Sequence, residues 1–117
     1  MSVIPFSANS AAPSIDLSHS SMRVLRSIIH TISLLEKSMN GHQKETPPFL
    51  EEWVTEAFAL LKQFSTRIDQ KSKQYGPQHF DPILHVAAKE AHGTKNDLNS
   101  LITFKNTVTE AMSQSKN

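Results

Sequence analysis

Apolar residues recur at alternating steps of three and four along most of this chain, which places them on one stripe of an α-helix. Such a stripe is stable only when it is buried against other apolar surface. Three separate runs show the pattern, so we predict an all-α fold. The first stripe contains Leu25, Ile28, Ile32, Leu35 and Met39; the second Leu50, Val54, Ala57, Leu61, Phe64 and Ile68; the third Leu84, Ala87, Ala91, Leu98, Leu101, Val108 and Met112.

Turn and capping residues set the expected ends of these helices. The first is expected over about residues 20–40, before Gly41, because glycine readily adopts the left-handed conformation that closes a helix. The second is expected over 47–75, with Pro47 at its first position, where proline loses no hydrogen bond. The third is expected over 82–112, and it also opens on a proline.

Gly93 interrupts the third pattern, but the apolar stripe keeps its phase on both sides of it. Glycine costs about 1 kcal/mol relative to alanine inside a helix, which packing can offset. We therefore expect one long third helix, bent near Gly93. Three long helices with short connections predict an antiparallel, up-down-up three-helix bundle over residues 20–113. The polar residues 114–117 are expected to fray.

The first 19 residues differ in composition from the rest of the chain. Five of them are serines, only one is charged, and they show neither a helical nor a strand period. This composition favours a flexible arm over residues 1–19. Its apolar residues Val3, Ile4 and Phe6 give the arm a means of docking on the bundle or on a partner.

Composition and charge narrow the function classes. The chain has 117 residues, with 12 Lys and Arg against 11 Asp and Glu, a net charge of +1. We therefore expect no nucleic-acid-binding face. Cysteine is absent, which excludes disulfides and thiol chemistry. No apolar run approaches the roughly 20 residues of a membrane span, and the start lacks the features of a cleaved signal peptide. We expect a cytoplasmic protein, or one exported without a cleaved signal.

No arrangement of residues indicates catalysis, a metal or a cofactor. His85 and His92 are seven residues apart, about 10 Å along a helix, which is too far to hold one metal ion without other ligands. Glu51, Glu52 and Glu56 lie at the start of the second helix, where the helix dipole accounts for them. Neither a nucleotide-binding loop nor a serine-hydrolase motif occurs. We therefore expect a non-enzymatic protein without metal or cofactor.

Aromatic residues crowd the second helix, and Leu60 further broadens its apolar arc. One interpretation is that the central helix of a three-helix bundle contacts two neighbours, which requires a broad arc. The other is that some of these side chains are exposed and form a contact patch, because aromatic anchors dominate interface energies. On the second interpretation the candidate partner-binding residues are Phe49, Trp53 and Phe58, together with Val3, Ile4 and Phe6 of the arm.

The segment from Ala91 to Lys95 resembles the His phosphotransfer domains of bacterial signalling. In those domains a surface His on a helix of a bundle is followed three residues later by Lys and then by Gly. His92 and Lys95 match that pattern, whereas Asn96 stands where the Gly would be. The resemblance implies a phosphotransfer role for His92.

The serine-rich, almost uncharged start also resembles the N-terminal secretion signals of bacterial type III export substrates. That resemblance implies a small subunit, effector or adaptor of a bacterial secretion or host-interaction system. The leading hypothesis is a helical module that works by binding another protein. Two alternatives stay open: a phosphotransfer domain using His92, and a self-assembling structural protein, since long amphipathic helices often complete their cores in a homo-oligomer.

Overall fold

The computed structural model describes residues 12–40 and 48–115, and this part of the chain is helical with no strands. The predicted all-α class is confirmed. None of the described helices is long and apolar enough to cross a membrane. The helices are α1 (Ala12–Asn40), α2 (Pro48–Tyr75), α3 (Pro82–His92) and α4 (Leu98–Ser115), with a one-turn 3₁₀ helix (Pro77–His79) between α2 and α3.

Four helices therefore take the place of the predicted three, because the third predicted helix is divided after His92. The prediction of one continuous helix bent near Gly93 is wrong. Asp97 provides the physical reason, since its carboxylate accepts a hydrogen bond from the backbone N–H of Ser100 at 2.7 Å. A side chain that satisfies a free N–H in this way favours a new helix start. The loop that it closes lets α4 take a new direction.

The start of α1 also differs from the prediction. α1 begins at Ala12, so residues 12–19, which the sequence predicts as part of the arm, are helical. Pro13 stands in its first turn, where proline is tolerated because the N–H it lacks has no partner within the helix. One turn further on, the Ser18 hydroxyl accepts a hydrogen bond from the backbone N–H of Asp81 at 3.3 Å. This contact joins the start of α1 to the start of α3.

The remaining predictions about the arm, including those for Val3, Ile4 and Phe6, fall on residues outside the described ranges. At the other end of the chain, α4 continues to Ser115, two residues beyond the expected end of the bundle.

α2 runs antiparallel to α3, and α4 runs antiparallel to α1. α2 ends beside the start of α3, and Lys62, thirteen residues back along α2, donates from Nζ to the carbonyl of Ala91 at the far end of α3, at 2.7 Å. α4 begins beside Asn40 at the end of α1, and its Lys105 forms an ion pair with Glu36 of α1. α1 and α3 each contact both α2 and α4, so the four helices surround a shared core.

That core contains the three predicted apolar stripes. All their members are buried except Met39, Leu98 and Met112, which are partly buried against the rest. The structure adds further buried side chains that lie outside the predicted stripes: Phe80, Ile83, Ala88 and Phe104.

Small side chains line the buried side of α3. Ala87 and Ala91 are completely inaccessible to solvent, and Ala88 is nearly so. Alanine at these positions lets the backbone of α3 lie close to its neighbours. The C-terminal carbonyls of α3 are also satisfied from outside the helix, because Lys62 of α2 donates to those of Ala91 and His92.

Candidate interaction surface

α2 carries apolar residues on two sides. One is the buried stripe of the core. The other lies about 80° around the helix axis, at 100° per residue, and consists of Phe49, Trp53 and Leu60. These three residues are 49%, 54% and 49% exposed. Large apolar side chains that remain half exposed in one line are a typical signal of an interaction surface.

Phe49 and Trp53 contact each other one helical turn apart. Their ring centroids are 6.0 Å apart, and the rings meet edge to face at 73°, a favourable geometry for aromatic pairs. The burial of a central helix between two neighbours therefore does not account for these two side chains. Their exposure agrees with the second interpretation of the aromatic arc.

Phe58 is not brought together with this aromatic pair. It is partly buried on the other side of α2, where the Lys62 ammonium lies 5.1 Å from its ring centroid. Because Lys62 in turn caps α3, Phe58 belongs to the contact between α2 and α3. Its position is separate from that of Phe49 and Trp53, and its role in binding a partner stays a prediction.

An apolar groove lies between α1 and α2, next to the exposed stripe. Its volume is about 270 Å³, and it is lined by Val24 of α1 and by Leu60, Phe64 and Ile68 of α2. Val24 is 41% exposed and was not among the predicted site residues. The signal that could have found it is an apolar side chain just off the buried stripe of α1. The groove extends the apolar surface from α2 to α1.

Charged residues divide α2 into two halves. The N-terminal half carries Glu51, Glu52 and Glu56, whereas basic residues dominate the C-terminal half. Several of these charges share a side of the helix with the exposed apolar stripe. We call this side the α2 face, and it comprises Phe49, Glu52, Trp53, Glu56, Leu60, Gln63, Arg67 and Lys71.

The histidines singled out in the sequence make contacts within the bundle. The Nε2 atom of His85 hydrogen-bonds to the carbonyl of Pro77 at 2.9 Å. His92 is the last residue of α3, and its Nε2 lies 2.6 Å from the Asp69 carboxylate. Among the described residues, no three metal-ligating side chains come together.

The phosphotransfer interpretation of His92 stays a prediction. The His92 side chain is half exposed, but its Nε2 atom is occupied by the contact with the Asp69 carboxylate. Lys95 lies beyond the end of α3, in the loop before α4. The two residues that match the phosphotransfer pattern therefore do not share a helix.

Comparison of the chain with protein-family models, with curated proteins and with solved structures finds no match.

Proposed function

We propose that this chain is a non-enzymatic helical module that binds another protein through the α2 face. The observation that carries the proposal is the half-exposed line of Phe49, Trp53 and Leu60. Burying such side chains contributes about 25 cal/mol for each Å² of apolar surface removed from water. Tryptophan is among the residues that most often dominate the energy of an interface.

The scaffold behind this surface also favours binding. The buried side of α2, about 80° around the helix axis from this surface, is fixed by core residues that are inaccessible or nearly so, among them Leu50, Leu61 and Ile68. A surface built on a packed helix loses little backbone freedom when a partner binds, so less of the interaction energy is spent on ordering. Charged side chains flank the apolar line, as expected for the polar rim of an interface.

The test is affinity capture of the tagged full chain from its own cells, compared with Trp53→Ala and Leu60→Ala variants. Both side chains are half exposed, so we expect folded variants with unchanged far-UV circular dichroism. We expect each variant to retain at most about a tenth of the captured partner, because truncating an interface anchor typically costs about 2 kcal/mol or more.

The matched control is Leu34→Ala. Leu34 is 50% exposed on α1, on the side of that helix away from the core, so its truncation removes a similar exposed side chain from another surface. We expect the control to capture as much partner as the unchanged chain. If the same proteins bind equally well to all four chains, the α2 face is not the binding surface and the proposal is wrong.

For the biological setting, we propose a bacterial secretion or host-interaction system, supported by the resemblance of the serine-rich start to type III export signals. The deletion that tests this setting ends at residue 11, because α1 begins at Ala12. Deleting residues 2–11 leaves that helix intact, whereas a deletion to residue 19 removes two of its turns. We expect the shortened chain to remain in the cell while the full chain is exported. Equal export of both would contradict this setting.

A further inference from the structure

We propose that the occupant of the α2 face is a second copy of this chain, packed with its α2 antiparallel to the first. This inference rests on the proposed function, because it names the partner of the same surface. It is carried by the distribution of charge along the α2 face together with its apolar centre.

The two ends of the α2 face carry opposite charges, so two copies of the face are complementary when they pack antiparallel. Glu52 and Glu56 lie towards its N-terminal end, and Arg67 and Lys71 lie towards its C-terminal end. Two such faces attract each other in an antiparallel arrangement, because each acidic half then lies against a basic half. A parallel arrangement instead places acid against acid and base against base, which is unfavourable.

The spacing of these residues sets one register. When the two-fold axis passes between Leu61 and Lys62, Glu56 of one copy lies opposite Arg67 of the other. Glu52 of one copy lies level with Lys71 of the other in the same register, because residues 52 and 56 are separated by the same four positions as 67 and 71. Glu52 and Lys71 are about 100° apart around the helix axis, whereas Glu56 and Arg67 are only about 20° apart, so the pair of Glu56 and Arg67 is the central one. Each pair occurs twice, as the symmetry of a two-fold contact requires.

The apolar centre of the face fits the same register. Leu60 is 49% exposed and lies within one turn of the axis, so the Leu60 side chains of the two copies approach each other there. The groove lined by Val24 and Leu60 lies beside this point and offers further apolar surface. Trp53 then lies over the C-terminal half of the partner's α2, near its basic residues, where an aromatic face attracts cations.

The experiment is sedimentation equilibrium of the full chain and of two charge-reversed variants, Glu56→Arg and Arg67→Glu. We expect the unchanged chain to have twice the mass of 13.1 kDa at about 100 µM, a concentration suited to micromolar affinity. Each variant alone places like charges opposite each other. We therefore expect its dimer dissociation constant to rise about tenfold or more.

Mixing the two variants distinguishes this register from a general effect of charge. In the mixed dimer, the arginine introduced at position 56 of one chain meets the glutamate introduced at position 67 of the other, and the unchanged Arg67 meets the unchanged Glu56. We expect the equimolar mixture, and also the chain carrying both substitutions, to dimerise as well as the unchanged chain. Two control variants, Glu110→Arg and Lys95→Glu, make the same changes in net charge as Glu56→Arg and Arg67→Glu, but at exposed positions outside the α2 face. We expect both controls to remain dimeric.

The inference is wrong if the unchanged chain is monomeric at this concentration, or if the single variants dimerise as well as the unchanged chain. It is also wrong if the equimolar mixture of the two variants dimerises no better than either variant alone. None of these results contradicts the proposed function by itself. A different protein that binds through Trp53 to a monomeric chain would overturn the second-copy inference and leave the proposed function standing. If the Trp53→Ala and Leu60→Ala variants capture as much partner as the unchanged chain, both the proposed function and the second-copy inference are wrong.

Discussion

The two glycines of the described chain, Gly76 and Gly93, differ in backbone conformation. Gly76 follows the last residue of α2 with φ +97°, a conformation that side chains with a Cβ rarely adopt. Its N–H donates to the carbonyl of Ser72 at 2.8 Å, which closes the helix. Gly93 has φ −91°, which every residue type tolerates.

We therefore predict opposite results for alanine at these positions. Gly76→Ala should lower the free energy of unfolding by about 1–2 kcal/mol, since the positive φ becomes strained. A new Cβ at Gly93 would meet only the carbonyl of Glu90, at 3.8 Å. Gly93→Ala should be neutral or stabilise by up to about 1 kcal/mol, because alanine has less freedom to lose on folding. Urea unfolding of both variants checks this, and equal effects would contradict it.

Two aspartates begin the last two helices. Asp81 accepts a hydrogen bond from the N–H of Ile83 at 3.0 Å, and Asp97 accepts one from the N–H of Ser100. The first start is predicted from the proline at position 82, and it is confirmed. The second was not, because the surrounding apolar pattern favoured a continuous helix over the cap.

Asp97→Ala should lower the free energy of unfolding by about 1 kcal/mol, the usual cost of losing an N-cap side chain. The control is Asn99→Ala, two residues further on at an exposed position, where no cap is lost. Urea unfolding monitored by circular dichroism measures both variants. An Asp97→Ala chain as stable as the control would show that this cap does not determine the start of α4.

At the scale of elements, the division between α3 and α4 shows what periodicity leaves undetermined. Ala91 and Leu98 belong to one stripe when they are counted at 3.6 residues per turn, and both pack against the core. A helix that stops and restarts in another direction can return both residues to the core as well as a straight helix can. The phase of the pattern therefore predicts burial, but it does not predict the direction of the chain.

Because α3 packs closely against its neighbours, we predict that enlarging one of its buried side chains destabilises the protein. Ala87 is completely buried, so Ala87→Leu should lower the free energy of unfolding by about 1–3 kcal/mol through overpacking. The matched control is Val86→Leu, at the adjacent position, which is 37% exposed and should change stability by less than about 0.5 kcal/mol. Chemical unfolding of the two variants measures the difference. Similar values would mean that α3 can move away from the core without cost.

The candidate surface was only partly predictable from α2. The excess of aromatic residues over one stripe indicated Phe49 and Trp53, and the structure shows both exposed. Phe58 has the same chemistry but lies on the side that faces α3. Which flank of a helix is covered depends on where its neighbours pack, and the spacing of residues within one helix does not contain that information. The same reason explains why Val24 was missed.

At the scale of the whole molecule, one core connects the four α-helices. Phe104 of α4 is 1% exposed among core residues from the other three helices. Phe104→Ala should lower the free energy of unfolding by about 3–5 kcal/mol, a large share of the roughly 5–15 kcal/mol typical of a small domain. Leu34→Ala is the exposed control. Calorimetry should show one cooperative transition for both; a separate early transition for α4 would contradict a single core.

The sequence was most informative about what is buried and least informative about how many helices bury it. Nearly every member of the three stripes lies in the core, because burial depends on the local period. The start of α1 at Ala12 does not follow from the sequence, because serine-rich composition is typical of a flexible arm. In this chain Ser18 instead forms a contact with Asp81, and a tertiary contact of this kind is invisible in composition.

Trp53 gives the chain a built-in optical reporter. It is the single tryptophan of the sequence, and more than half of its surface is open to solvent. Excitation of the indole at long wavelength therefore reports on this one position, with red-shifted emission that iodide can quench. Occupation of the neighbouring surface would shift the emission to shorter wavelength and shield the ring from the quencher. A fluorescence titration of the unlabelled chain therefore measures binding at this surface.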